Sequence, residues 1–158
     1  MKKNKGFTLI ELLAVIVILA IIALIASPII IGLIDDARKE AAANSASGIY
    51  HAVENVYAKV LLKNGDGLSE KIEYEFTDSG LVITALTASP VVLTGENVVA
   101  TLGAGMTMDT ITPDYNGTKP TDGVLTLDTT GKVELPVDTT LTINNFTCGR
   151  TSGKFTCE

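Results

Sequence analysis

Glu11 is the residue of this sequence whose type and position point most directly to chemistry. It is a carboxylate directly before an uncharged apolar run from Leu12 to Ile34. That run is longer than the about 20 residues that a helix needs to cross a bilayer, so the carboxylate would lie at membrane depth. A charge there costs about 3 kcal/mol on insertion scales. Glu11 is therefore expected to have a functional partner.

The segment before Glu11 is a short basic leader followed by a small residue, Gly6, and an aromatic residue, Phe7. The leader contains Lys2, Lys3 and Lys5, whereas two acidic residues follow the apolar run at positions 35 and 36. Loops rich in lysine and arginine remain on the cytoplasmic side of a membrane. We therefore expect a single membrane span with its N-terminus in the cytoplasm.

The run Lys5-Gly6-Phe7-Thr8-Leu9-Ile10-Glu11-Leu12 resembles the class III signal peptide of type IV prepilins and pseudopilins. The resemblance implies that a prepilin peptidase removes residues 1–6 by cutting between Gly6 and Phe7. It also implies methylation of the new Phe7 amine. In that family the carboxylate here at Glu11 would recruit and register an incoming subunit through its Phe7 amine.

Three other interpretations of this region remain open. Glu11 is four residues from Phe7, so the two could pair within one subunit, and the glutamate could also be merely tolerated near the membrane face. An ordinary secretory signal peptide ends in a small-x-small cleavage site, which Ala26-Ser27 imitates. Pro28, directly after it, makes this a poor cleavage context.

Pro28 lies inside the hydrophobic helix and leaves the carbonyl of Leu24 without a backbone donor. One interpretation is a simple kink that neighbouring helices cover. The resemblance suggests another, in which the segment upstream of Pro28 loosens when the helix leaves the lipid for a filament core. Many type IV pilins have a glycine where this chain has Ala20, so the break is expected to be smaller here.

The next segment, 35–64, is predicted to be the amphipathic second half of the same helix. Ile49, Val53, Val56 and Val60 recur at helical spacing and define one apolar face. Asn64-Gly65 is a helix stop. If the helix runs from Phe7 without interruption, at about 1.5 Å per residue it is about 80 Å long.

Residues 65–158 have the alternating pattern of strands bounded by turns and are predicted to form a β-rich head. Residues 103–123 are expected to form a long loop, with Pro113, Asn116-Gly117 and Pro120 as breakers. The predicted strands are Lys71–Thr77, Leu81–Thr87, Val124–Asp128, Lys132–Leu135, Leu141–Cys148 and Lys154–Cys157, with weaker candidates at Val91–Leu93 and Val98–Leu102.

Cys148 and Cys157 are the two cysteines of the chain. In an exported protein an even pair in a hairpin-like stretch is typical of a disulfide, here across the last hairpin. Two reduced thiols or a metal pair are the alternatives. A loop this small would stabilise the fold by about 2–3 kcal/mol in the chain-entropy model.

Composition argues against several classes of function. The net charge is −6 and becomes about −9 once the three leader lysines are subtracted, so binding of nucleic acid by the single subunit is disfavoured. The chain has one histidine, His51, and no phosphate-binding glycine loop, so neither a catalytic constellation nor a cofactor is predicted.

Weaker candidates lie in loops. Asp109, Asp114, Asn116 and Asp122 are oxygen ligands of the kind calcium prefers, but their spacing fits no EF-hand and no metal site is predicted. Asn116-Gly117-Thr118 and Asn145-Phe146-Thr147 match the short glycosylation pattern.

Together these features predict an α+β fold, the lollipop of a type IV pilin: a long N-terminal helix packed on a small antiparallel sheet. The expected function is that of a major pilin polymerising into a surface filament, with partners that are copies of itself, the prepilin peptidase, a platform membrane protein and an assembly ATPase. The alternatives are a major pseudopilin of a type II secretion or competence system and, from a different class, a monomeric membrane-anchored binding protein.

Overall fold

A computed structural model of the protein describes residues 6–136 and 139–158. Lys2, Lys3 and Lys5 of the leader lie outside the described residues. The chain divides into two compact units, Met1–Arg38 and Lys39–Glu158. The fold is α+β, as predicted, with one long helix and two antiparallel sheets.

The long helix α1 extends from Leu9 to Asn64 and passes through Pro28. Thr8 caps its first turn, and the helix ends as predicted at the Asn-Gly pair, where Gly65 adopts a positive φ of 79° and its N–H donates to the carbonyl of Leu61. The Asn64 side chain accepts hydrogen bonds from the Asp66 and Gly67 amides and donates to the Gly67 carbonyl. The local sequence therefore determines both helix ends.

In the first unit the helix is apolar on every side. The large apolar side chains are exposed throughout, from 46% at Ile34 to 89% at Phe7. By length and composition this helix is apolar enough to cross a membrane, and none of its most apolar window is buried within the protein. A helix that is hydrophobic all round requires lipid or other helices as its surroundings.

In the second unit the helix carries a single buried stripe. Ile49, Val53, Val56 and Val60 are fully buried, which confirms the predicted apolar face. The stripe extends to Ala42 and Ala46. These side chains share one core with both sheets.

The larger sheet has five antiparallel strands in the order β3-β2-β1-β4-β5. Its central strand β1 pairs with β2 through a tight hairpin and with β4 across a long connection. Alternate residues of β1 (Ile72, Tyr74, Phe76) are fully buried. The strands are β1 Ile72–Thr77, β2 Gly80–Ala85, β3 Val91–Val92, β4 Gly123–Leu127 and β5 Val133–Glu134.

The smaller sheet has three antiparallel strands in the order β6-β7-β8. Its bounds are β6 Leu141–Ile143, β7 Phe146–Thr151 and β8 Lys154–Cys157. A β-bridge between Asp122 and Thr142 joins the entry to β4 with β6. The last hairpin is therefore tied to the larger sheet through β6.

The predicted single strand Leu141–Cys148 was wrong, because the chain reverses at Asn144 and Asn145. Both residues have positive φ, 53° and 67°, as a two-residue hairpin turn of the primed type requires. Asparagine tolerates this conformation better than other non-glycine residues. The segment is therefore the β6–β7 hairpin.

Two further predictions were wrong in the same part of the chain. Val98–Leu102 is a short helix, α2, because Val98 and Leu102 are both buried at helical spacing. Residues 103–123 are not all loop, since Met108–Ile111 forms the helix α3. Thr107 caps α3 by accepting a hydrogen bond from the Thr110 amide.

Candidate processing and assembly site

The Gly6–Phe7 bond lies immediately before α1 and is fully accessible. Phe7 is 89% exposed. A Cβ added at Gly6 would meet no atom within 4 Å, so the fold itself has no steric need for glycine here. Any requirement for glycine at this position would come from a protein that binds the segment.

Thr8 and Glu11 cap the start of α1 reciprocally. The Thr8 backbone N–H donates to Glu11 Oε2 at 2.8 Å, and the Thr8 hydroxyl donates to the same oxygen at 2.7 Å. In return the Glu11 amide donates to Thr8 Oγ1 at 3.3 Å. This is a capping box, and the negative charge also lies at the positive end of the helix dipole.

The capping box refines the expectation that Glu11 needs a partner. Within residues 6–136 and 139–158 no ion pair includes Glu11, and its partner in the isolated chain is its neighbour Thr8. Both hydrogen bonds use Oε2, and no residue that the structure describes bonds to Oε1. Sequence reasoning missed this contact, although the Thr-x-x-Glu spacing was the signal that could have found it.

Pro28 interrupts the hydrogen bonding of α1 without ending it. The chain stays helical on both sides of Pro28. Directly before it, the Ser27 hydroxyl donates to the Ala23 carbonyl at 2.9 Å. Proline removes the donor for the Leu24 carbonyl, so this turn is held by fewer backbone bonds than the others. Loosening of this turn in a filament stays a prediction.

The predicted disulfide between Cys148 and Cys157 is confirmed. The two residues are direct partners across β7 and β8, with Cα atoms 4.1 Å apart. Next to them, Thr147 and Glu158 exchange two backbone hydrogen bonds of 3.0 and 3.1 Å. The disulfide thus secures the last residues of the chain to a buried position, since Cys148 is fully buried.

The weaker candidates do not converge on a site. His51 pairs with Glu54 at 2.7 Å on an exposed part of α1. Asp109 lies in α3, whereas Asp122 is in the bridge to β6. The described part of the chain contains no group of three or more His, Cys, Asp or Glu side chains that could hold a metal ion.

The two glycosylation patterns lie on exposed turns. The backbone carbonyl of Asn116 faces α1 beside Gly48. Asn145 forms the tip of the β6–β7 hairpin. Glycosylation at either position stays a prediction.

Comparison with protein families bears on the N-terminal segment. Residues 1–27 match the family model of the prokaryotic N-terminal methylation motif. The N-terminus is that of a type IV pilin-like prepilin. The comparison with curated proteins found no match, and neither did the comparison with solved structures.

The matched segment contains every residue of the prepilin start described above. Gly6, Phe7, Thr8 and Glu11 all lie within it, followed by most of the apolar run. A processed and methylated N-terminus is what such a prepilin motif implies. The motif ends just before Pro28 and leaves the remainder of the chain to be interpreted from its structure.

Proposed function

We propose that the chain is the major subunit of a type IV pilus. Prepilin peptidase removes residues 1–6 by cutting between Gly6 and Phe7, and the new amine of Phe7 is methylated. One observation carries the proposal: Glu11 lies within the matched methylation motif, at the start of a helix segment whose large apolar side chains are exposed on every face. The cut bond is freely accessible, which supports the processing step.

Assembly uses the charges that processing creates. The cut gives Phe7 a cationic amine at the depth of Glu11. Attraction between an ammonium and a carboxylate is strong where little water screens it. The capping box holds Glu11 through Oε2, so Oε1 is free for the Phe7 amine of an adjacent subunit.

The parts of the chain then have separate roles. Residues 7–34 form the membrane span before assembly and the filament core after it. Residues 35–64 form the amphipathic continuation of the helix, and residues 65–158 form the exposed head. Burial of the apolar helices against one another replaces lipid contact, and apolar surface removed from water contributes about 25 cal/mol per Å².

The proposal also includes the orientation of the subunit in the membrane and its assembly partners. The N-terminus is cytoplasmic before assembly, because the basic leader precedes the span. The partners are a platform protein in the membrane and an assembly ATPase, which supplies the energy. Adhesion, motility or DNA uptake then belongs to the filament as a whole.

A major pseudopilin of a type II secretion or competence system is the second candidate, because the methylation motif is common to both classes. The β-rich head with its terminal disulfide favours the pilin. The pilin is the candidate that predicts long filaments in material sheared from the cell surface.

The proposal is tested by electron microscopy of sheared surface material and mass spectrometry of its N-terminus. Long filaments whose subunit begins at methylated Phe7 are expected. An N-terminus at Pro28 would instead identify a secreted protein cut by an ordinary signal peptidase.

Two substitutions of Glu11 separate charge from helix capping. Glu11→Gln keeps an oxygen that can accept the Thr8 hydrogen bonds but loses the charge, whereas Glu11→Ala loses both. We expect both variants to be processed, to accumulate in the membrane and to form no filaments. If Glu11→Gln still forms filaments, the role of Glu11 is helix capping alone. If even the unmodified chain forms no filaments and both variants are displayed at the surface as it is, a monomeric binding protein is favoured.

A further inference from the structure

Arg150, on β7, is held in one place by an aromatic platform. Its guanidinium carbon lies 3.9 Å from the centre of the Tyr50 ring. Tyr50 is itself buried, donates a hydrogen bond of 2.7 Å to the Val133 carbonyl, and packs edge-on against Phe155. A guanidinium stacked on a fixed ring is pre-organised to donate in one plane, while Arg150 itself is exposed.

The last hairpin carries two cations that the subunit does not neutralise. In the part of the chain that the structure describes, no ion pair includes Arg150 or the exposed Lys154. The nearby Lys132 is instead paired with Glu134 at 2.6 Å. The register pairs Arg150 with Phe155 and Lys154 with Thr151, so the two cations lie on opposite faces of the hairpin, close to its turn. We call Arg150 and Lys154 the cationic hairpin.

Besides Lys71 and the Lys132–Glu134 pair, the outward face of the larger sheet presents two further carboxylates. Glu73 and Glu75 alternate with the buried residues of β1 and therefore point away from the core. Among the described residues neither is in an ion pair. Val82 and Val124 are the direct neighbours of Glu75 on the two adjacent strands. We call this set the acidic sheet face.

A helical polymer of identical subunits needs two different surfaces that fit each other. The acidic sheet face and the cationic hairpin belong to the same compact unit and have complementary charge. Building on the proposed function, we propose that the cationic hairpin of one subunit docks on the acidic sheet face of an adjacent copy, with Arg150 donating to Glu75.

The chemistry of the two surfaces supports this pairing. Arginine and carboxylate form parallel, charge-assisted hydrogen bonds. Because Arg150 is already stacked on Tyr50, it loses less side-chain freedom on binding than a mobile arginine would. The valines beside Glu75 offer apolar contact around the ion pair.

Charge reversal in the full chain, in cells that assemble filaments, tests the contact. Glu75→Arg and Arg150→Glu are each expected to lower the yield of sheared filaments about tenfold or more, because like charges then face each other. The double variant reverses both sides and is expected to recover most of the yield. Glu96→Arg and Lys119→Glu reverse exposed charges elsewhere and serve as matched controls that leave the yield unchanged.

A chemical cross-link tests the contact without relying on yield. In Arg150→Lys, a carbodiimide activates the Glu75 carboxylate, the introduced amine displaces the adduct as a urea, and an amide joins two copies. A dimer whose linked peptides contain positions 75 and 150 is expected. If filaments form normally but show neither this cross-link nor rescue by the double variant, the docking is overturned and the proposed function stands. If the unmodified chain forms no filaments, the proposed function is overturned instead.

Discussion

The apolar side chains of residues 9–38 differ in exposure from those of residues 39–158. In the first region the large apolar side chains are exposed all round the helix, whereas in the second most of them form one buried core. The same helix crosses both regions, so the difference comes from the pattern of its residues and not from its backbone. A continuous apolar surface needs surroundings from outside the chain, while a single stripe is buried by the chain's own sheets.

The strongest test of this contrast compares the same substitution in both regions. Ile49 is fully buried, and Ile22 is 56% exposed. Ile49→Ala is expected to lower the free energy of unfolding of the second region by about 2–5 kcal/mol, because it removes apolar contacts and leaves a cavity. Ile22→Ala is expected to change it by less than about 0.5 kcal/mol.

Tyrosine fluorescence of the full chain in detergent, during denaturant unfolding, measures both variants. The chain has four tyrosines and no tryptophan, and Tyr50, Tyr57, Tyr74 and Tyr115 all lie in the second region. Equal effects of the two substitutions would contradict the division into a self-sufficient region and a dependent one.

Removal of the disulfide is expected to have the next largest effect. Replacing Cys148 and Cys157 together by serine should lower the free energy of unfolding of the second region by about 2–3 kcal/mol. Burial of a hydroxyl at the fully buried position 148 adds to the loss, so Cys148→Ala with Cys157→Ala is the matched control. If neither double variant changes the denaturation midpoint, the bond has no part in holding the last strand.

A smaller, pH-dependent effect should come from Tyr74 in the core. Burial raises the pKa of Tyr74 above its ordinary value of 10, and its hydroxyl donates to the Ile111 carbonyl at 3.0 Å. Because the unfolded chain loses this proton more readily, stability should fall as the pH rises above 10, by about 1.4 kcal/mol near pH 11.

Tyr74→Phe supplies the comparison for that titration. Its stability at neutral pH should be lower by about 1 kcal/mol, since one hydrogen bond is lost. The decline above pH 10 should be correspondingly shallower than in the unmodified chain, as followed by denaturant unfolding at several pH values. An identical decline in both proteins would mean that Tyr74 does not titrate on unfolding.

Local sequence patterns were enough to predict several elements of the fold. The buried stripe from Ile49 to Val60, the helix end at Asn64 and the hairpin joining β1 to β2 each depend on neighbouring residues, and each prediction was confirmed. The capping box of Thr8 and Glu11 was equally local and was overlooked. The strand prediction for Val98–Leu102 was wrong. Its β-branched residues favour a strand only where a neighbouring strand is available for pairing, and here the core instead buries one side of a helix.

By itself, the sequence determined the long helix, the apolar segment of that helix after Glu11, and the disulfide between Cys148 and Cys157. Each follows from residues close together in the chain. Only the tertiary structure decided that β1 lies between β2 and β4, and that Arg150 rests on Tyr50. Residues so far apart meet through the packing of one shared core. No local spacing encodes that packing, since it depends on how every buried side chain fits its neighbours.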